Sequence, residues 1–208
     1  MIATIEKYFP DLDALARRRF ELLDVLYRQW NEKINVISRK DIDNLYTHHI
    51  LHSLSIAKFL QPVAFTSFVD IGTGGGFPGI PLAILLPHCS FHLVDRIRKK
   101  IAVVDAVVEA LGLENVTTQA GDMGECRLKF DFAVSRAAMK IDELYMIAKR
   151  NIARRKPRNS YPNGVIALKG GDLVPELARL RTEFFEEPLS LWFNEPFFET
   201  KKLIYIPV

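Results

Sequence analysis

The pattern of apolar and polar positions divides the chain into two parts. Over residues 12–30, apolar side chains recur every three or four positions, which is the period of an amphipathic helix. A second helix is predicted over residues 43–60, after the polar stretch SRKDID, and residues 61–67 are predicted to form a linker. We therefore expect residues 1–62 to be a helical N-terminal extension that packs on a domain formed by residues 63–208.

From Phe68 onward, short apolar runs alternate with helical segments. Strands are predicted at residues 68–71, 90–94, 116–119, 132–134 and 164–168, and helices at residues 78–86, 99–111 and 141–152. This alternation indicates an α/β fold whose mostly parallel sheet is covered on both faces. The tail from Phe184 has two or three strand-like runs without a long helix between them, which predicts an antiparallel end to the sheet. The segment RRKPRNSYPNG predicts an exposed loop.

Composition excludes several classes of protein. About half of the 208 residues are hydrophobic, so a sizeable core is expected and general disorder is not. There is no apolar run of about twenty residues and no signal-peptide pattern at the start, which predicts a cytoplasmic protein without a membrane segment. Cys89 and Cys126 are far apart and lack Cys-x-x-Cys spacing, so we expect reduced thiols and neither a zinc knuckle nor a disulfide framework.

The distribution of charge is more informative than its balance. Lys and Arg number 28 against 25 Asp and Glu, and the basic residues gather at 17–19, 96–100 and 149–158. One such cluster alone is typical of a solvated surface, whereas three together favour an anionic partner whose phosphates they neutralise.

A glycine-rich stretch, VDIGTGGGFPGIPLAI, follows the first predicted strand of the sheet. In an open parallel sheet, ligands bind beyond the carboxyl ends of the strands, and Gly72, Gly74 and Gly76 permit positive φ and a close approach to the backbone. No Gly-Lys-Ser/Thr follows, which excludes a P-loop. The dinucleotide fingerprint is imperfect because its third glycine is replaced by Phe77, so a NAD-linked oxidoreductase is disfavoured.

Three acidic residues stand where predicted strands end. Asp70 precedes the glycines, an arrangement that repels a diphosphate but suits a cofactor with a cationic amine and sulfonium. Asp95 ends the next strand and can accept hydrogen bonds from two ribose hydroxyls. Asp122 follows the third strand in the stretch AGDMG. The combination resembles the S-adenosylmethionine site of class I methyltransferases, in which the third element holds the adenine. A glycine-rich turn alone also occurs at tight strand–helix junctions, but the three acidic residues at strand ends disfavour that interpretation.

Further motifs indicate which kind of molecule accepts the methyl group. Methyltransferases of amino nitrogens often carry Asn/Asp-Pro-Pro-Tyr/Phe after the fourth strand, and this chain has DFAVSRAAMK there instead. Together with VDIGTGGGFPGIPLAI, the stretches FDFAVSRAA, ALKGG, WNEKINVIS and HILHSL resemble the bacterial 16S rRNA guanine-N7 methyltransferase family, also called glucose-inhibited division protein B. The resemblance covers nearly the whole chain.

The resemblance implies a fold, a reaction and a set of site residues. It implies a Rossmann-like class I methyltransferase fold with a seven-stranded sheet and the N-terminal extension. It also implies S-adenosylmethionine as cofactor, and methylation of guanine N7 in the decoding-centre region of 16S rRNA, free or within the small subunit, by a monomer. Arg136 and Lys169 occupy the positions expected for catalysis. The cofactor-binding residues are expected to be Asp70, Gly72, Thr73, Gly74, Gly76, Phe77, Asp95, Asp122, Met123, Gly124 and Arg136.

The chain departs from the family pattern at a few positions. His52 stands where the family usually has an acid, which puts any ion pair there in doubt. Gly124 stands in place of an acidic residue, so contact with adenine depends on the backbone. Lys201 and Lys202 stand where the family usually has an arginine near the end of the chain.

The proposed chemistry agrees with the residue types present. Guanine N7 has an in-plane lone pair and no proton, so catalysis needs positioning and in-line alignment without a general base. Arg136 or Lys169 can donate to guanine O6 or hold a nearby phosphate. His48 and His52 have metal-ligand spacing, but the zinc-protease motif requires Glu where His49 stands, so we expect packing or RNA contact and no metal.

Three other functions stay open on sequence grounds. A small-molecule methyltransferase would share the fold but would not need three basic clusters. A methyltransferase of another RNA would keep the cofactor motifs. A non-catalytic RNA-binding or ribosome-assembly protein would not require an intact set of Asp70, Gly72, Gly74, Asp95 and Arg136. We expect the arginines of residues 154–158 to hold rRNA phosphates, in a loop that becomes ordered with RNA.

Overall fold

Seven strands form a single sheet in the computed structural model, which describes all 208 residues. They are β1 (Ser67–Ile71), β2 (Ser90–Asp95), β3 (Val116–Ala120), β4 (Phe132–Arg136), β5 (Gly164–Gly170), β6 (Phe185–Pro188) and β7 (Lys201–Pro207). Their order is β3-β2-β1-β4-β5-β7-β6. The first five strands are parallel, and β7 runs antiparallel to both β5 and β6. The mostly parallel sheet with an antiparallel C-terminal end is therefore confirmed.

Seven α-helices accompany the sheet. They are α1 (Ala3–Glu6), α2 (Ala14–Lys33), α3 (His52–Phe59), α4 (Gly79–Leu85), α5 (Arg98–Leu111), α6 (Ile141–Ala148) and α7 (Val174–Leu177). The helix predicted over residues 43–60 is composite, because a 3-10 turn (Ile42–Asn44) and a π-helical segment (Leu45–Leu51) precede α3. No helix is both long and apolar enough to cross a membrane.

The long N-terminal helix α2 begins and packs as its sequence pattern requires. The Asp13 carboxylate accepts a hydrogen bond from the backbone N–H of Ala16 at 2.7 Å and so caps the first turn. Phe20, Leu23 and Tyr27, spaced by three and four residues, are fully buried. They pack against the side of the sheet that carries α4 and α5, which brings the N-terminal extension next to the glycine-rich loop.

Apolar cores lie on both faces of the sheet. Alternate strand residues face opposite sides, so Phe68 and Phe132 belong to the core under α2–α5, whereas Val69 and Ala133 belong to the core under α6. Because both faces are covered, as predicted, the central strands carry apolar side chains at consecutive positions, such as Phe68-Val69 in β1 and Phe132-Ala133-Val134 in β4. Both cysteines are buried and free.

The loop RRKPRNSYPNG is largely exposed, as predicted, but several of its side chains contact the rest of the protein. Its first residues are exposed, but Arg155 Nη2 lies 2.7 Å from the buried Asp131 carboxylate, and Arg158 Nη2 lies 3.5 Å from it. Asn159 is buried, and its side-chain oxygen accepts a hydrogen bond from the Val63 N–H at 2.9 Å. These contacts tie the loop to the sheet and the linker, and the expectation that it becomes ordered with RNA stays a prediction.

The last helix before β5 is shorter than predicted. α6 ends at Ala148, and the chain then turns into an isolated parallel bridge between Phe130 and Ile152. Apolar periodicity continues to Ile152, but that side chain is buried in the core under α6 from an extended segment rather than from a helix.

Candidate active site

A cavity of about 560 Å³ opens beyond the carboxyl ends of the parallel strands. Loops after β1, β2, β3 and β4 form its walls, because these strands are adjacent in the sheet and end at the same edge. Three of the residues predicted to bind cofactor line it: Gly72, Asp95 and Met123. This edge is where sequence reasoning expected the ligand.

The glycine-rich loop has the left-handed backbone that its sequence predicts. Gly72, Gly74 and Gly76 have φ of 69°, 59° and 95°. At Gly72 a side chain is also sterically excluded, because a Cβ there would lie 2.6 Å from the Cβ of Ala138 in the loop after β4. A Cβ on Gly74 would meet nothing within 4 Å, so this residue is needed for its backbone conformation rather than for close packing.

Asp70 lies inside the loop rather than on the cavity wall. Its Oδ2 accepts hydrogen bonds from the Thr73 hydroxyl at 2.6 Å and from the Gly79 N–H at 2.8 Å, which fixes the turn and the start of α4. Its Oδ1 is buried without a partner. Burial raises the pKa of the carboxyl to about 7. Direct contact between Asp70 and a cationic cofactor therefore stays a prediction.

Asp95 lies on the cavity wall at the end of β2. One carboxylate oxygen accepts the Ile97 N–H at 2.8 Å and the other accepts the Gly74 N–H at 2.9 Å. A carboxylate has about four lone-pair sites, so two remain after these bonds. The backbone bonds hold the side chain in place while it can still accept two hydroxyl groups.

The turn after β3 is fixed by Asp122. Its Oδ1 accepts the Gly124 N–H at 2.6 Å, and its Oδ2 lies 2.5 Å from the Arg96 guanidinium. The Gly124 N–H bond and then the charge of Arg96 hold the pKa of this carboxyl below its usual value. Met123 is buried and lines the cavity, whereas Asp122 and Gly124 shape the turn that carries it.

Arg136, at the end of β4, points away from the cavity towards the N-terminal extension. Its Nη1 donates to the carbonyl of His48 at 3.0 Å and its Nη2 to Nδ1 of His49 at 3.0 Å. Asp41 contacts both imidazoles, at 2.6 Å from His48 Nδ1 and 2.7 Å from His49 Nε2. The guanidinium also lies over the ring of Phe77, 5.1 Å from its centroid.

The chemistry of the donors fixes the protonation of His49. Arginine can only donate hydrogen bonds, so Nδ1 of His49 carries a lone pair, and its Nε2–H donates to Asp41. Burial, together with the charge of Arg136, lowers the pKa of His49 to about 4. Burial also lowers the pKa of Arg136 to about 10, which leaves it cationic at neutral pH. Asp41, His49 and Arg136 therefore form a charged chain with a neutral imidazole in the middle.

The histidines thus pack between the extension and the sheet, as preferred from sequence. The ring of His48 stacks on Phe197 at 3.9 Å, and His52 is buried against Phe197 and Phe198. No group of three potential metal ligands occurs in the protein. Sequence reasoning missed Asp41, because SRKDID was used only as the start of a helix.

Lys169, at the end of β5, lies behind the cavity wall. Its ammonium donates to the carbonyl of Met139 at 2.5 Å and pairs with Glu176 at 2.9 Å. The same Glu176 oxygen accepts the N–H of Ile141 at 3.0 Å. Met139 lines the cavity, so Lys169 holds a wall of the site from outside.

Other cavity residues were not predicted. They include Arg96, Lys100, Ala138, Met139 and Glu143. Arg96 and Lys100 belong to RIRKK, which follows β2 directly, and that position was a usable signal. Glu143 lies on α6, and nothing in its local sequence indicates that this helix borders the cavity.

Solved structures share this architecture at low sequence identity. A mutant of MtNAS in complex with S-adenosylmethionine is 14% identical, covers 93% of this chain and 76% of its own, and gives a TM-score of 0.57. TrmN from Thermus thermophilus is 15% identical over 75% of this chain and 48% of its own, with a TM-score of 0.55. These likenesses confirm the predicted class I methyltransferase fold.

Sequence comparisons are more specific. The family described as rRNA small subunit methyltransferase G matches residues 18–190. "Ribosomal RNA small subunit methyltransferase G" of Porphyromonas gingivalis is 55% identical over 207 residues, which cover 98% of this chain and 92% of the relative. The protein of the same name from Bacteroides thetaiotaomicron is 53% identical over 201 residues, 97% of each chain. The resemblance predicted from the motifs is thereby confirmed, and the chain belongs to the rRNA small subunit methyltransferase G family.

Proposed function

We propose that this protein transfers a methyl group from S-adenosylmethionine to N7 of a guanine in the decoding-centre region of 16S rRNA. The observation that carries the proposal is the cavity at the carboxyl ends of β1–β4, walled by Gly72, Asp95 and Met123, in a chain of this family. The proposal includes action as a cytoplasmic monomer on rRNA, either free or within the small subunit.

The cavity residues fit the cofactor. A volume of about 560 Å³ lies within the range of pockets that enclose small ligands. Asp95 keeps lone pairs for two ribose hydroxyls. The N–H of Met123, which opens a helical turn, has no acceptor within that turn and can meet an adenine ring nitrogen. When bound, S-adenosylmethionine supplies an electrophilic methyl group on a cationic sulfur.

The remaining contribution of the protein is to orient the guanine. N7 attacks through its own lone pair, so the site needs no base, and positioning supplies the rate enhancement. Arg136 keeps an Nε–H without an acceptor, and Lys169 uses two of its three ammonium donors. Arg136 thus has three unused N–H donors and Lys169 has one, but neither side chain lines the cavity, so contact with guanine O6 or a phosphate requires both to turn towards bound RNA.

The test is transfer of radiolabel from S-adenosylmethionine to rRNA, followed by mapping of the labelled base. Bare rRNA and small subunits are assayed in parallel, with Asp95→Ala as the cavity variant. Asp105→Ala, which removes a carboxylate from α5 that bonds only Thr118, is the matched control. We expect label at N7 of one guanine, lost with Asp95→Ala and kept with the control.

Two results would contradict the proposal. Label in protein or small molecules, with none in rRNA, would exclude an rRNA acceptor. Transfer that is insensitive to salt would favour a small-molecule methyltransferase, because phosphate contacts make RNA binding fall steeply with ionic strength.

A further inference from the structure

A basic groove lies between the segments that precede β4 and β5. It consists of two adjoining cavities of about 520 and 220 Å³ that share Lys129 and Arg150. No acidic residue lines either cavity. The basic residues of the groove are Arg127, Lys129, Lys149, Arg150, Arg154 and Arg155.

The groove is built on a fixed backbone. The N–H of Phe130 donates to the Asn151 carbonyl at 2.8 Å, and the N–H of Ala153 donates to the Phe130 carbonyl at 2.8 Å. The buried Asn151 side chain donates to the carbonyls of Cys126 and Leu128 at 3.0 and 2.9 Å. These bonds join the two walls, so the positive side chains are held together before any partner binds, which lowers the entropic cost of binding.

Most of this charge is uncompensated. Arg155 pairs with Asp131, whereas the other basic residues of the groove have no carboxylate within ion-pair distance. Lys129 donates only to the carbonyl of Arg150, and Arg150 reaches the carbonyl of Met123 at 3.1 Å. Like charges gathered without acids repel one another, and a row of anions relieves this repulsion while releasing counterions.

The groove is distinct from the site of methyl transfer. Phe130 precedes β4 and Arg136 ends it, so these backbone positions are separated by about 20 Å of extended chain. A phosphate held beside Ile152 and Arg154, level with Phe130, therefore does not belong to the guanine that reacts at the carboxyl ends of the strands, although Arg150 extends from the groove towards the cavity and reaches the Met123 carbonyl.

We propose that the basic groove binds the phosphodiester backbone of the RNA substrate several nucleotides away from the methylated guanine. The proposal rests on the proposed function for the identity of that RNA. It makes the groove a second contact that holds long RNA and that a short fragment around the target guanine does not reach.

The test uses Lys149→Gln/Arg154→Gln, because neither side chain makes a hydrogen bond or ion pair that holds the fold. Arg179→Gln/Arg181→Gln is the matched control, since it removes two exposed charges that lie outside the three basic clusters and make no hydrogen bond or ion pair through their side chains. Filter binding is measured against salt for deproteinised 16S rRNA and for a short hairpin that carries the target guanine. With rRNA, the groove variant should reduce the slope of log affinity against log salt by about 1.4 and weaken binding about tenfold at 0.15 M salt.

Binding to the hairpin shows whether the variant affects only the groove or also the catalytic site. The groove variant should bind the hairpin and the cofactor as tightly as the wild type does. Equal losses on hairpin and rRNA, or an equal loss with the control, would overturn the proposal. A loss on small subunits but not on deproteinised rRNA would assign the groove to a ribosomal protein and also overturn it. Because binding is measured without methyl transfer, failure of the proposed reaction would be seen separately.

Discussion

Lowering the pH from 7 to 5 should destabilise this protein through His49. The folded protein holds His49 neutral between Asp41 and Arg136, with a pKa of about 4, whereas an unfolded histidine has a pKa of about 6.5. Below pH 6.5 the unfolded chain therefore binds a proton at His49 that the folded protein does not bind. The contribution of His49 to the free energy of unfolding is complete above pH 6.5 and is lost as the pH falls towards 4.

The size of the effect follows from these two pKa values. At pH 5 an unfolded histidine is almost fully protonated and His49 in the fold is about one-tenth protonated. The difference corresponds to a loss of about 2 kcal/mol between pH 7 and pH 5. The physical cause is that an imidazolium at this position would be buried and would face the Arg136 guanidinium at 3.0 Å.

His49→Gln tests this reasoning, because glutamine keeps a donor and an acceptor but does not titrate. Urea unfolding at pH 7 and pH 5, followed by circular dichroism, gives the loss of stability for each protein. The variant should lose about 2 kcal/mol less than the wild type. His52 is present in both proteins, and burial is the main cause of its lowered pKa, so most of its contribution cancels in the difference. His88→Gln removes an exposed histidine and should behave like the wild type; equal losses in the His49 variant and the wild type, within about 0.5 kcal/mol, would refute the account.

Three further predictions concern the loops around the cavity. Gly72→Ala should cost about 3 kcal/mol in urea unfolding and weaken cofactor binding in calorimetry, because its φ is 69° and its Cβ would meet Ala138. Arg155→Ala should lower the free energy of unfolding by about 1–2 kcal/mol, since the buried Asp131 carboxylate loses its 2.7 Å partner. Lys169→Met should lower it by about 1–3 kcal/mol, because a carboxylate and a carbonyl lose their donor.

A matched control variant for each substitution tests whether the loss of stability comes from the stated contact or from any substitution of that kind. Gly171→Ala also requires positive φ but would meet nothing within 4 Å, so a cost equal to that of Gly72→Ala would exclude the steric explanation. Lys156→Ala removes an exposed neighbour of Arg155, and an equal loss there would argue against the Asp131 pair. Lys140→Met removes an exposed lysine near the same wall. Lys169→Met should lower the free energy of unfolding by more than Lys140→Met does, and equal losses would contradict the explanation.

Local sequence patterns predicted the elements and their order. Apolar periodicity located α2, the strands and the antiparallel end, because burial of one helix face or of both strand faces leaves a regular pattern. The glycines located the ligand edge of the sheet, because backbone conformations with positive φ demand that residue type. Even so, the reason for glycine at Gly72 is the distant Ala138, which the loop sequence does not reveal.

Contacts between residues far apart in the chain could not be predicted from local sequence patterns. Arg136 meets His49 across 87 positions of the chain, and Arg155 meets Asp131 across 24. The sequence indicated that Arg136 and Lys169 were important but not that both are tied to the protein's own carbonyls, imidazole or carboxylate.

The sequence by itself determined the α/β architecture, the place of the cavity and the family, since these depend on patterns within short stretches. The tertiary structure alone decided which polar side chains face the cavity and which brace its walls. It also gathered the groove from two basic segments, of which only the one after α6 stood out in the sequence. The physical reason is that a buried charge is stabilised by whichever partner the fold brings within hydrogen-bond distance, and that partner leaves no local pattern in the chain.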